Sequence, residues 1–231
     1  MVYFLNERNI LTLTTSKEKV DFKRILFSFG LIVVISVIGF AVSYYSDSSD
    51  IIWNFHPTKF FILLAISLLL FPFQIGLEEY LFRGYLMQQI GIVVKNRWFP
   101  LLFTSTVFGL FHSANPEVAE MGFGVMIFYI GTGLLLGIMT LMDDSLELAL
   151  GFHLGNNLMA SLLLTSDFSA LQTDALFRYS GIENTAATLN EMIVSIAITY
   201  PIILFILAKK YKWSNWKERL FGNIKPIQVK E

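Results

Sequence analysis

The sequence predicts an all-α, polytopic transmembrane helix bundle of about six spans, with a polar active site buried between helices. Three observations carry that reading. Of 231 residues, 55% are hydrophobic and only 15% are charged, against roughly 25% charged in an ordinary soluble domain. The mean hydropathy is +0.60. Six stretches come close to the 20 or so apolar residues that a helix needs to cross the hydrocarbon. The same figures exclude a disordered chain and a disulfide-stapled secreted module. With no Cys, thiol catalysis and thiolate metal sites are excluded too. A net charge of −1 gives no reason to expect nucleic acid as a partner.

The first stretch, Ile25 to Tyr45, is uncharged throughout. The second begins near Phe60, passes Leu77 and meets Glu78 and Glu79. Continued to about Val94, it is too long for one perpendicular span, and Pro72 marks an expected kink. The third runs from Trp98 to about Ser113, the fourth from Gly122 to Met142, the fifth from Leu146 to Thr165, and the sixth from Met192 to Ala208. Residues 1–24 are polar, and the run after them is too long for a cleaved signal. They are therefore expected as a cytoplasmic tail, followed by the bundle over 25–208, with its core over about 60–165, and a basic cytoplasmic tail over 209–231. The stretch from Ser166 to Asn190 is expected as one long loop with no readable role.

Lys and Arg set the orientation. Arg8, Lys17, Lys19, Lys23 and Arg24 precede the first span, Lys95 and Arg97 follow the second, and seven more follow the sixth. The alternate connections hold only Lys59 and Arg178, among several carboxylates. Both termini are thus expected on the cytoplasmic side, in a plasma-membrane protein. The basic, aromatic stretch Tyr211 to Leu220 is expected on the inner membrane surface.

Ionisable groups inside apolar spans are costly, and each is a functional candidate. GLEEYLFRGYL places Glu79 and Arg83 four apart, where their charges neutralise each other. Glu78 points about 100° away and is free to face another helix. By itself such a pair is more often a structural salt bridge. FGLFHSANP puts Phe108 and His112 on one face, and GFHLGNNLM does the same for His153 and Asn157. A lone membrane His is more often packed than catalytic. Here two of only three His fall in apolar segments, while His56 reads as loop filler. Depth supports one pairing: Glu78 and His112 lie roughly 24 and 21 Å from the Lys95–Arg97 turn at the helical rise. His153 lies only about 12 Å past Ser145. It needs a recessed Asp143–Ser145 turn or a tilted helix.

The three signatures E-E-x-x-x-R, F-x-x-x-H and H-x-x-x-N, in this order, resemble the CPBP intramembrane proteases. That group handles CAAX and bacteriocin processing and is related to the prenyl-protein endopeptidases. The resemblance covers about Phe71 to Thr165, roughly 40% of the chain, and nothing in the motifs departs from the pattern. It implies Glu78 as the base, His112, His153 and Asn157 as catalytic partners, and Glu79 and Arg83 in support. It also implies a peptide or lipidated-peptide substrate inside the lipid bilayer.

That assignment makes chemical sense of the residues. Peptide hydrolysis needs an activated water, donors for an oxyanion and a proton for the leaving amine. A desolvated carboxyl beside a second one is suited to hold and return a proton. His112 is suited to holding the water, and His153 and Asn157 to donating to the oxyanion. The reading favours no cofactor. Zinc held by His and Glu is the alternative, without an H-E-x-x-H to support it. Two readings of other classes stay open. One is a catalytically idle scaffold or bacteriocin-immunity protein; the other is a proton-relaying transporter, which would predict paired repeats that are not seen. Gly133/Gly137 and Gly151/Gly155 form G-x-x-x-G pairs suited to close helix packing. Gly155, between His153 and Asn157, is also expected to open room for substrate backbone.

Overall fold

The computed structural model describes residues 10–180 and 185–224. A short helix α1 (Ile10–Thr14) precedes α2 (Phe22–Ser46), which Asp21 caps by accepting the Lys23 N–H. Strand β1 (Ile51–Trp53) leads to α3 (Pro57–Glu79). Pro57 sits in its first turn, where no backbone donor is needed. α3 then passes without a break through a π-helical segment (Tyr80–Leu86) into α4 (Met87–Val94). The result is the single apolar rod of 38 residues that the sequence predicts. Pro72 lies inside α3, and the helix continues past it.

After the turn at Lys95 come α5 (Trp98–Leu110), α6 (Pro116–Met121), α7 (Met126–Asp143) and α8 (Glu147–Leu162). Strands β2 (Leu164–Ser166) and β3 (Phe177–Tyr179) follow, then α9 (Thr185–Tyr211) and α10 (Trp216–Phe221). The chain is an all-α polytopic bundle and an integral membrane protein. Among the described residues four helices are long and apolar enough to span. The third and fifth expected spans are shorter than predicted, with helices of 13 and 16 residues. α5 ends at Leu110 because Asn115, ahead of Pro116, is extended and the chain has already left the helix through tight turns. α8 ends where Leu164 joins a strand.

The expected loop from Ser166 to Asn190 is likewise corrected. β3 pairs antiparallel with β1 and parallel with β2, and α9 has begun by Thr185. Strands of three residues are too short to show an alternating pattern.

Two glycine pairs set the closest helix contacts. A Cβ at Gly133 would stand 2.9 Å from the Ser105 carbonyl, so α7 lies against α5. Gly151 and Gly155 do the same for α8 against α2, where the added Cβ atoms would meet Ile25 O at 2.0 Å and Phe29 O at 3.0 Å. Gly155 therefore serves packing, and no room for substrate opens there. Around this seam Ile32, Leu135, Leu136, Met139, Leu148, Phe152, Ile203 and Leu207 form the main core. Gly151→Ala is expected to lower Tm markedly, since overpacking against rigid backbone costs about 1–3 kcal/mol. Gly39→Ala, with nothing within 4 Å, should leave it unchanged or raised. Thermal-shift curves of the two variants check this.

The segments expected on the basic side meet at one end of the bundle. Asn96 bridges to Asn223 and Thr15 to Ser145. Arg219 donates to Asp144 and to the last carbonyls of α7. Part of the segment expected as a tail packs against the bundle. Leu13 and Thr14 are buried, and Thr14 O accepts the Leu146 N–H at 2.7 Å. Lys17 pairs with the fully buried Glu147 at 2.5 Å, and Arg24 with Asp143. The basic residues of this segment are ion-pair partners as well as sidedness signals. Residues 1–9 and 225–231 lie outside the described part.

Candidate active site

The rod of α3 and the π segment carries three of the six candidate residues. Glu79 and Arg83 are fully buried and joined at 2.9 Å, the i,i+4 pair that the spacing predicts. The other guanidinium nitrogen of Arg83 donates to Gly133 O at 3.0 Å. That carbonyl is within reach because Gly133 lets α7 come close. The guanidinium also lies over the Phe108 ring, 4.4 Å from its centroid. In an apolar interior the cation thus has one carboxylate, one carbonyl and one aromatic face.

Glu79 Oε1 accepts a second hydrogen bond, from His153 Nδ1 at 2.8 Å. Residues 14–21 bond to the Asp143–Ser145 turn and to the start of α8, through Ser16 N–H to Asp144 O, Leu146 N–H to Thr14 O, and Lys17 and Asp21 to Glu147. The Glu79 carboxylate orders the His153 ring: Nδ1 carries its proton toward Glu79, and Nε2 faces Glu78 Oε2 at 3.7 Å. His153 is therefore first a partner of Glu79.

Glu78 is placed differently from its neighbour. Its side chain keeps 22% exposure, Oε1 accepts from Gln74 Nε2 at 3.1 Å, and Oε2 is buried without a hydrogen-bond partner. It lines a cavity of about 610 Å³ together with His112, Asn157, Asn156 and Tyr129. His112 lies just beyond α5, two residues past Leu110, and not within the helix as expected. It still holds the i−4 relation, because Nδ1 donates to Phe108 O at 2.9 Å. A carbonyl only accepts, so in the neutral ring Nε2 bears the lone pair. The ring stacks on Tyr129 at 4.5 Å, and Asn115 Nδ2 fixes the Tyr129 hydroxyl at 2.9 Å. Asn157 Oδ1 accepts from Asn156 at 3.4 Å.

The structure thus gathers all six sequence candidates around one layer. Glu79, Arg83 and His153 bond directly, while Glu78, His112 and Asn157 share the cavity wall. Sequence reasoning missed Gln74, Tyr129, Asn115 and Asn156. Gln74 stands four residues before Glu78, so the spacing rule that found Arg83 would have found it.

Zinc would draw on Glu78, His112 and His153. Among the described residues no three such groups are gathered as metal ligands. As arranged, the residues do not fit a closed zinc site.

Residues 57–159 match the family model of the type II CAAX prenyl endopeptidases, Rce1-like. Over those residues the chain is similar to the Rce1-like family. That region contains all six candidate residues and ends just past Asn157. An uncharacterized protein of Bacillus subtilis (strain 168), YyaK, is 33% identical over 168 residues. The match covers 71% of this chain and 55% of the relative, so the chain spans about half the length of that protein. No solved structure matches it.

Proposed function

We propose that this chain is a CAAX-type intramembrane endopeptidase that hydrolyses a peptide bond with a water activated by Glu78. One observation carries the proposal: two adjacent carboxylates in one apolar rod have opposite environments. Glu79 is locked between Arg83 and His153. Glu78 keeps partial exposure, has one oxygen without a hydrogen bond, 3.7 Å from His153 Nε2, and lines a cavity shared with His112 and Asn157. In the reaction, Glu78 takes a proton from a water held between it and His112 Nε2. The hydroxide oxygen attacks the scissile carbonyl. Asn157 Nδ2–H, and His153 Nε2–H when the ring is protonated, meet the developing oxyanion. The C–N bond then breaks, Glu78 returns its proton to the leaving amine, and the water oxygen remains in the new carboxylate.

The substrate class is a membrane-proximal or prenylated peptide. Leu77, Leu81 and Phe111 border the cavity and are exposed on the bundle's surface, which suits entry from lipid. The setting is the plasma membrane, with the basic end on the cytoplasmic side. The test is peptidomics of membranes containing wild-type protein or Glu78→Ala. A cleaved peptide present only with wild type is expected. Identical peptidomes would favour an idle scaffold or immunity protein.

Two further outcomes follow from the assignment. Asn157→Ala should lower kcat by about 10²–10³ with little change in KM, as for loss of an oxyanion donor. Asn157→Asp should be no better, because an acceptor replaces the donor; wild-type kcat in that variant at neutral pH would remove Asn157 from the role. Strong chelators should leave purified activity nearly unchanged. Stoichiometric zinc whose removal and return switch activity off and on would instead establish a metalloenzyme.

A further inference from the structure

The residues that line the cavity beside Glu78 extend toward the end opposite the basic one, and a separate cavity of about 640 Å³ at the basic end stops at Arg83. Glu79, Arg83 and Phe108 form a buried layer beneath the Glu78 cavity. Behind that layer Thr14 Oγ1 meets Tyr80 OH at 2.7 Å, and Thr15 pairs with Ser145. On the far side the wall is built by Asn115 and by residues 169–171, which belong to the connections of the opposite end. A further cavity of about 500 Å³ adjoins there, and Glu117, Ala160 and Ser169 line both. Lys59 and Arg178, the basic side chains of that end, are taken up by Asp174 and Asp167. Positive connections remain on the cytoplasmic side during insertion, so this mouth faces away from the cytoplasm.

We propose that the substrate is a peptide segment presented on the non-cytoplasmic face of the membrane, which reaches Glu78 through the cleft beside Glu117. The inference rests on the protease reading for its substrate and on cavity shape and charge distribution for its direction. It departs from a prenylated chain end on the cytoplasmic side, which would have to pass the Glu79–Arg83–Phe108 layer.

The chain has no cysteine, so a single introduced one is its sole thiol. Ala170→Cys lies on the catalytic cavity wall, Ser49→Cys in the adjoining cleft, and Lys19→Cys at the basic end. Full-length variants in intact cells are treated with a membrane-impermeant maleimide before and after permeabilisation. Ala170→Cys and Ser49→Cys should react in intact cells, and Lys19→Cys only after permeabilisation. The reverse pattern overturns the proposal, and Ser49→Cys keeps the test decisive if Ala170→Cys fails to fold. Repeating the labelling in a Glu78→Gln background reads direction without catalysis. Failure of the protease reading therefore shows separately, as normal labelling with no Glu78-dependent product. In the active protein, external labelling of Ala170→Cys should abolish cleavage of that product; cleavage that continues at full labelling overturns the entry route.

Discussion

Glu78→Gln should abolish turnover and leave the protein as stable as wild type. The amide keeps the size of the side chain and an oxygen for the Gln74 donor, which is the one hydrogen bond Glu78 makes among the described residues. Partial exposure means that no charge is stranded by the change. What is lost is the carboxylate that the proposal assigns to take a proton from water and give it to the leaving amine. General acid–base catalysis alone contributes about 10²–10⁴ in rate, and here one residue serves both halves. Single-turnover assays beside thermal-shift curves check the pair of expectations. A variant with substantial activity would remove Glu78 from the chemistry, and one that fails to fold would make it structural.

Glu79→Gln should behave in the opposite way. Removing this charge leaves Arg83 in an apolar interior with Gly133 O and the Phe108 face but no counter-ion. Breaking one partner of a buried pair typically costs about 3–5 kcal/mol, enough to unfold a marginal protein. Activity should also fall, because a neutral amide oxygen replaces the carboxylate that accepts from His153 and holds its ring. The double variant Glu79→Gln/Arg83→Met removes the stranded cation and should regain much of the lost Tm. It should not regain kcat, since His153 still lacks its carboxylate partner. Equal stability and activity of Glu79→Gln and wild type would contradict the division of labour between the two carboxylates.

Much of this site was legible in the sequence because helical spacing turns short motifs into faces. Glu79 and Arg83, Phe108 and His112, and His153 and Asn157 each follow from a four-residue step. The long rod through Val94 continues the apolar run past Glu78, Glu79 and Arg83. The position of His153 was not legible. It depends on residues 14–21 covering the Asp143–Ser145 turn, through contacts such as Lys17 to Glu147 that are about 130 residues apart. A polar segment without periodicity carries no signal of such packing. The role of Tyr129 was hidden for the same reason, because its stacking on His112 is purely tertiary. The early end of α5 was readable from Asn115-Pro116, a pair that disfavours helix. The apolar run ahead of it outweighed that signal.

The central claim is that a water activated by Glu78 becomes part of the product. It is tested most directly by one turnover of purified, membrane-reconstituted protein in ¹⁸O-water, using the peptide that the membrane peptidome identifies. The account predicts one ¹⁸O in the new carboxylate of every product molecule and no product from Glu78→Gln. Unlabelled product with ¹⁸O found in Glu78, or equal cleavage by the Gln variant, would contradict it.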